Sequence, residues 1–208
     1  MLLLLKIHKA EYIEDMYEHE YLYFSCLKDF RGKKDDSGRF DPKELNIRND
    51  QLTTLTINDI PFHEVTKKFN AQYMENLSEP KINCCSLYWH ETEPNQPPSP
   101  FNKRLLTLGE RAILIHDYIS FFELLDRNLE NAGYEYSRKK VTYYDPNTHN
   151  GDLTLHHKDE AYSFQNEYRI LISPTKNEPV KVKLAGLNKI SIVIDTKDIE
   201  NLRVEITE

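Results

Sequence analysis

Strand-length runs of branched and aromatic residues recur along this chain without regularly spaced helices between them. Leu2 to His8, Tyr21 to Cys26, Leu52 to Ile57, Lys81 to Trp89, Arg111 to His116 and Lys139 to Tyr144 read as strands. So do Leu153 to His157, Asn166 to Ser173, Val180 to Leu184, Ile190 to Asp195 and Leu202 to Ile206. Apolar residues at helical spacing mark only Ala10 to His19, Phe62 to Leu77 and Ile119 to Ala132, the last closed by Gly133. Many strands, few helices and no steady β-α-β alternation predict an α+β fold with a mostly antiparallel, split sheet. Such a sheet leaves a cleft between its halves.

The 208 residues, 39% of them apolar, suffice for one well-filled domain spanning 1–208. Two stretches, 29–44 and 91–100, are rich in charge, turn formers or proline and are expected as surface insertions. The formal charge of -7 excludes a global basic footprint for nucleic acid and leaves room only for a local basic groove. Three cysteines, two of them adjacent, do not make a disulfide framework and suit a reducing, cytoplasmic setting. The opening Met-Leu-Leu-Leu-Leu reaches Lys6 too soon for a signal peptide and reads as a strand. No apolar run approaches the roughly 18 residues of a membrane span, so no membrane partner is expected.

Several chemistries are missing. There is no G-x-S-x-G, and Cys84-Cys85 sits inside an apolar strand, where a thiol is structural. None of the six glycines forms a phosphate-binding loop. His116-Asp117, His156-His157 and Asp159-Glu160 offer metal-ligand residue types, yet adjacent strand residues face opposite ways and no H-x-x-x-H or C-x-x-C supports them. No metal is expected.

Y-S-F-Q-N-E-Y-R-I-L-I, Tyr162 to Ile172, sets a carboxylate among aromatic and branched residues. Glu167 and Arg169 are two apart and share a strand face, so one reading is an ion pair on the wet side of an edge strand. Another comes from features taken together. His8 ends the first strand, Tyr23 and Ser25 lie on the second in Y-L-Y-F-S, and Gln165-x-Glu167 opens a later one. This set resembles the histidine, tyrosine and glutamate arrangement of the ADP-ribosyltransferase superfamily, whose split antiparallel sheet holds NAD. L-Y-F-S-C-L-K-D-F, R-F-D-P after the loop, and the distal K-x-x-x-x-x-x-Q-x-E-x-R from Lys158 to Arg169 also resemble uncharacterised bacterial and phage proteins.

The resemblance implies NAD as cofactor, a protein or nucleic-acid acceptor, and a role in bacterial or phage conflict as a toxin or defence factor. Glu167 would stabilise the oxocarbenium-like state on the ribose, as carboxylates do in glycoside hydrolysis. Gln165, on the same strand face, would orient the nucleophile, His8 would bond a ribose hydroxyl, and Tyr23 would stack on nicotinamide. Ser25 would support Glu167, while Lys158 or Arg169 would meet the pyrophosphate. The alternative is a non-catalytic acidic protein that binds and inhibits a host or defence protein. It draws on the acid-rich segment Glu11 to Glu20 and on Tyr134, Tyr136, Tyr143 and Tyr144 as exposed anchors.

Overall fold

The fold is that of a computed structural model, described over residues 2–31, 40–66, 69–78, 80–91 and 101–201. Its first half runs β1 (Leu2–His8), α1 (Ala10–Glu18), β2 (Tyr21–Cys26), β3 (Asn46–Leu52), β4 (Thr56–Ile57), β5 (Ile60–Pro61), the single turn α2 (Phe62–Val65), β6 (Ala71–Asn76) and β7 (Asn83–Glu91). Its second half runs β8 (Arg111–Ile115), α3 (Tyr118–Asn131), β9 (Glu135–Lys140), β10 (Thr142–Tyr144), β11 (Gly151–Asp152), β12 (His157–Asp159), β13 (Glu167–Ser173), β14 (Val180–Lys183) and β15 (Ser191–Asp195).

The main sheet has the order β14-β2-β7-β1-β8-β15, with β13 on β7 and β9 outside β13, all antiparallel. Alternation along its strands makes two faces. One face buries Leu2, Leu4, Leu22, Phe24, Cys85, Leu87, Ile113 and Ile170 against Ile13 and Met16 of α1 and Phe121, Leu125 and Leu129 of α3. Each such side chain contributes roughly 1.5–3 kcal/mol by leaving water. The helix α3 starts where Asp117 accepts hydrogen bonds from the Ser120 amide and hydroxyl, and ends before Gly133, whose φ of 75° favours a residue without Cβ. On the other face Leu3, Leu5, Ile7 and Tyr88 pack with Leu105 and Leu114. The result is one compact mixed domain whose sheets are mostly antiparallel, the pairing of β10 with β12 being parallel.

The strand β7 is where the sheet divides. One of its edges is covered by β13 from Asn83 to Tyr88. Along the other edge, β2 pairs only Asn83 and Cys84, and β1 pairs Tyr88 to Glu91. Between them the edge at Cys85, Ser86 and Leu87 has no ladder partner, because β1 and β2 diverge there.

The structure corrects several sequence expectations. Phe62 to Leu77 is not a helix: after one turn the chain extends, and β6 pairs with β3 from Ala71 to Asn76. Tyr73 and Met74 on β6 are exposed. No strand spans Leu153 to His157, and the Lys139 to Tyr144 strand is divided between β9 and β10. The expected 29–44 surface loop ends inside the protein, since Asp41, Glu44 and Leu45 are buried. Residues 32–39, most of the 91–100 insertion and the strand expected at 202–206 lie outside the described residues.

Candidate functional site

The divided edge of β7 opens a cleft bounded by the outer end of β1, by Ser25 and Leu27, and by the start of β13. Its enclosed volume is about 100 Å³. That is smaller than the about 150 Å³ engineered cavity that admits benzene, so a ligand larger than a few atoms must extend out through the open side.

The floor is ionic. On β13 the residues Glu167 and Arg169 alternate with Tyr168 and Ile170, which enter the helix-packed core, so the two charges share the opposite face. Glu167, Arg169, Lys158 and Glu44 are respectively 2%, 1%, 4% and 5% exposed. Arg169 Nε donates to Glu167 Oε1 at 2.7 Å and its two terminal nitrogens donate to both Glu44 oxygens, at 2.6 and 3.4 Å. Lys158 Nζ donates to Glu167 Oε2 at 3.0 Å and to Gln165 Oε1 at 2.7 Å. Ser86, which lies opposite Arg169 in the β7 ladder, donates its hydroxyl to Glu167 Oε1 at 2.6 Å. The amide of Glu167 donates to Tyr143 Oη at 2.9 Å, which fastens the start of β13 to β10.

Two buried acids and two buried bases therefore cancel in charge, and each has a partner, as burial demands. Burial alone would raise the Glu167 carboxyl; Arg169 and Lys158 outweigh it and hold the group ionised, well below the ordinary carboxylate range. Glu44 moves the other way. Burial lifts it above its ordinary value, and Arg169, its sole side-chain partner among the described residues and already shared with Glu167, offsets this only in part.

The structure brings His8, Ser25, Lys158, Gln165, Glu167 and Arg169 to one cleft. Tyr23 does not line it. That ring is 36% exposed on β2 opposite Lys181, because the alternation that buries Leu22 and Phe24 turns Tyr23 outward. The edge-strand reading of Glu167 fails as well, since β13 lies between β7 and β9 and the carboxylate is buried. Gln165 is not on the strand; it ends a 3₁₀ turn, and Asn166, at φ 36°, reorients the chain into β13. Ser86, not Ser25, supports Glu167. Arg169 spends its donors on Glu44, Glu167 and the Leu155 carbonyl, which leaves little for a pyrophosphate. His8 stands at the cleft wall with its ring edge against Tyr12 at 4.7 Å.

No family model, curated protein or solved structure matches this chain. Function has to be argued from the cleft itself.

Glu44, Ser86 and Lys6 escaped the sequence reading. Ser86 carried the same signal that singled out Glu167, a polar residue within an apolar strand run, N-C-C-S-L-Y-W. Glu44 was hidden in D-P-K-E-L, where turn chemistry suggested solvent; its clue was the apolar Leu45 beside it. Among the described residues no group of three or more histidines, cysteines or acids is arranged to hold a metal. No described helix is long and apolar enough to cross a membrane.

Proposed function

We propose that the cleft binds the nicotinamide-ribose end of NAD and that the chain transfers ADP-ribose to a protein or nucleic acid. The observation that carries this is the shared cleft of His8, Ser25, Gln165 and Glu167, residues from both ends of the chain that meet where the sheet divides. The cleft is open on one side, so a dinucleotide would enter it by one end with the remainder lying outward. The bond between nicotinamide and ribose breaks with positive charge growing on the ribose, and a carboxylate held ionised in a desolvated floor favours that charge.

Glu167 accepts four hydrogen bonds, from Ser86, Lys158 and twice from Arg169, which fills its roughly four lone-pair positions. A ribose hydroxyl gains access only by displacing one donor. Lys158, at 3.0 Å and shared with Gln165, is the one on a flexible stem. Its release would also remove the Lys158 hydrogen bond from the Gln165 carbonyl.

Nicotinamide release from NAD, with and without a cell lysate, tests the proposal. Glu167→Gln should lower the rate about a hundred- to a thousandfold while NAD still binds, because the ground state carries less charge at that carbon. His8→Gln, which removes no hydrogen bond of the ion cluster, should slow release without unfolding the chain. Release by neither the native chain nor the lysate mixture would refute transfer. The filled lone pairs of Glu167 favour the second reading, a non-catalytic protein that inhibits a host or defence protein. Tyr144 is buried, Tyr143 is half-buried under β13, and Tyr134 and Tyr136 pack on the core, so the expected tyrosine anchors are not those of its surface. A stoichiometric partner retained by Glu167→Gln, with NAD untouched, would establish that second reading.

A further inference from the structure

We propose that Lys6 and Ser25 form an anion site at the division of the sheet, and that the ligand of the cleft carries a phosphate group there. The inference rests on the cleft being a ligand site, as the NAD proposal does, and adds the chemistry of the ligand's charged part. Lys6, Lys158 and Arg169 line the cleft. Lys158 and Arg169 are matched by Glu167 and Glu44. Lys6 has no carboxylate partner among the described residues; its ammonium donates to the Ser86 carbonyl at 3.1 Å, at the stretch of β7 edge that β1 and β2 leave unpaired.

An ammonium has three N–H donors and no acceptor, so the Ser86 carbonyl and the Cys85 thiol leave one donor for a ligand. The Ser25 hydroxyl, on the opposite side of the division, lines the same cleft and has no hydrogen bond among the described residues. Lys6 is half-buried, which weakens the screening of its charge by water. The two carboxylates of the lining, Glu44 and Glu167, are engaged by Arg169 and Lys158, so the capacity left at Lys6 and Ser25 is positive and donating, beside the apolar Leu5, Ile7 and Leu27. Phosphate oxygens accept and do not donate, and they match such a set. In a chain of formal charge -7 this is a local reversal of sign.

Calorimetric titration of the full chain with inorganic pyrophosphate, ADP-ribose and NAD tests the site. Lys6→Met keeps the aliphatic stem and should weaken binding of whichever of these the native chain takes by at least about tenfold, while Lys6→Arg retains most of it. Ser25→Ala should weaken it less, in the same direction. Binding of ADP-ribose alone identifies a nucleotide phosphate; binding of pyrophosphate as well identifies the phosphate group as sufficient. If Lys6→Met does not fold, Lys6→Arg and Ser25→Ala carry the comparison. Equal affinity of Lys6→Met and native protein, or no binding of any of the three ligands, overturns the anion site. Lys6-dependent binding without NAD turnover would leave the anion site standing and remove the transfer proposal. Unaltered NAD turnover and KM in Lys6→Met would do the reverse.

Discussion

Replacing Arg169 with methionine keeps an apolar stem in place and removes five hydrogen bonds, to both oxygens of Glu167, both oxygens of Glu44 and the Leu155 carbonyl. The consequences for the two acids differ. Glu167 keeps Lys158 and Ser86, whereas Glu44 loses its sole side-chain partner among the described residues while remaining 5% exposed. Removing one partner of a buried pair costs about 3–5 kcal/mol, because a buried charge is left uncompensated or must take up a proton. Native domains are stable by roughly 5–15 kcal/mol, so the loss is a large share. In urea, where the slope is about 1–3 kcal/mol per molar, the midpoint should fall by at least about 1 M. Adding Glu44→Gln to Arg169→Met should recover about 1 kcal/mol or more, a coupling of the size seen between contacting groups. A loss for Arg169→Met of less than about 1 kcal/mol, the range of an exposed ion pair, would refute the structural account of the cluster. So would a double variant as unstable as the sum of the two single ones.

Acid stability provides a second check. The folded pKa of Glu167 lies below its ordinary value of 4.5, so its stabilising contribution is present above that value and is lost as pH falls through the folded pKa. Glu167→Gln should therefore lose less stability than the native chain between about pH 5 and about pH 3, read from urea midpoints; equal slopes would refute the assignment. Glu44 has the opposite sign: its folded pKa is raised, so its contribution is present at low pH and is lost as pH rises. A further prediction concerns Gly109, at φ 154°, where a Cβ would stand 2.2 Å from the main-chain carbonyl of His8. Gly109→Ala should cost about 1–3 kcal/mol through forced backbone movement and should shift the His8 ring resonances by NMR. An unperturbed His8 with native stability would refute the contact.

How legible the fold was depended on the range of the forces that set each element. The bounds of β1 and β2 and the course of α1 and α3 follow from local periodicity and capping, and the structure places them where those signals stand. Phe62 to Leu77 failed because Ala71 to Asn76 is extended by its ladder to β3, a pairing that no local pattern announces. Charge followed the same division. The buried face of Glu167 and Arg169 could be suspected from Y-S-F-Q-N-E-Y-R-I-L-I, but which acid completes Arg169 is decided by the path that brings Glu44 back under β13. Tyr23 was misplaced along the strand: it shares a face with Ser25, which lines the cleft, but stands opposite Lys181 of β14 and outside the lining.

That constraint also separates the two electrical parts of the cleft. Glu167 and Arg169 share a face of β13 and need counter-ions within a few ångströms, which Lys158 and Glu44 supply, so the floor is neutral and tied to the surrounding main chain. Lys6 sits where β1 leaves β7, and it has no carboxylate partner among the described residues. A fold that only needed to bury its sheet could have closed this division with paired strands and an apolar side chain in place of a half-buried ammonium that has no carboxylate partner among the described residues. The division of the sheet thus leaves, lining one cleft, an ammonium with no carboxylate partner and a hydroxyl with no hydrogen bond among the described residues, and the proposed phosphate site rests on that combination more than on Glu167.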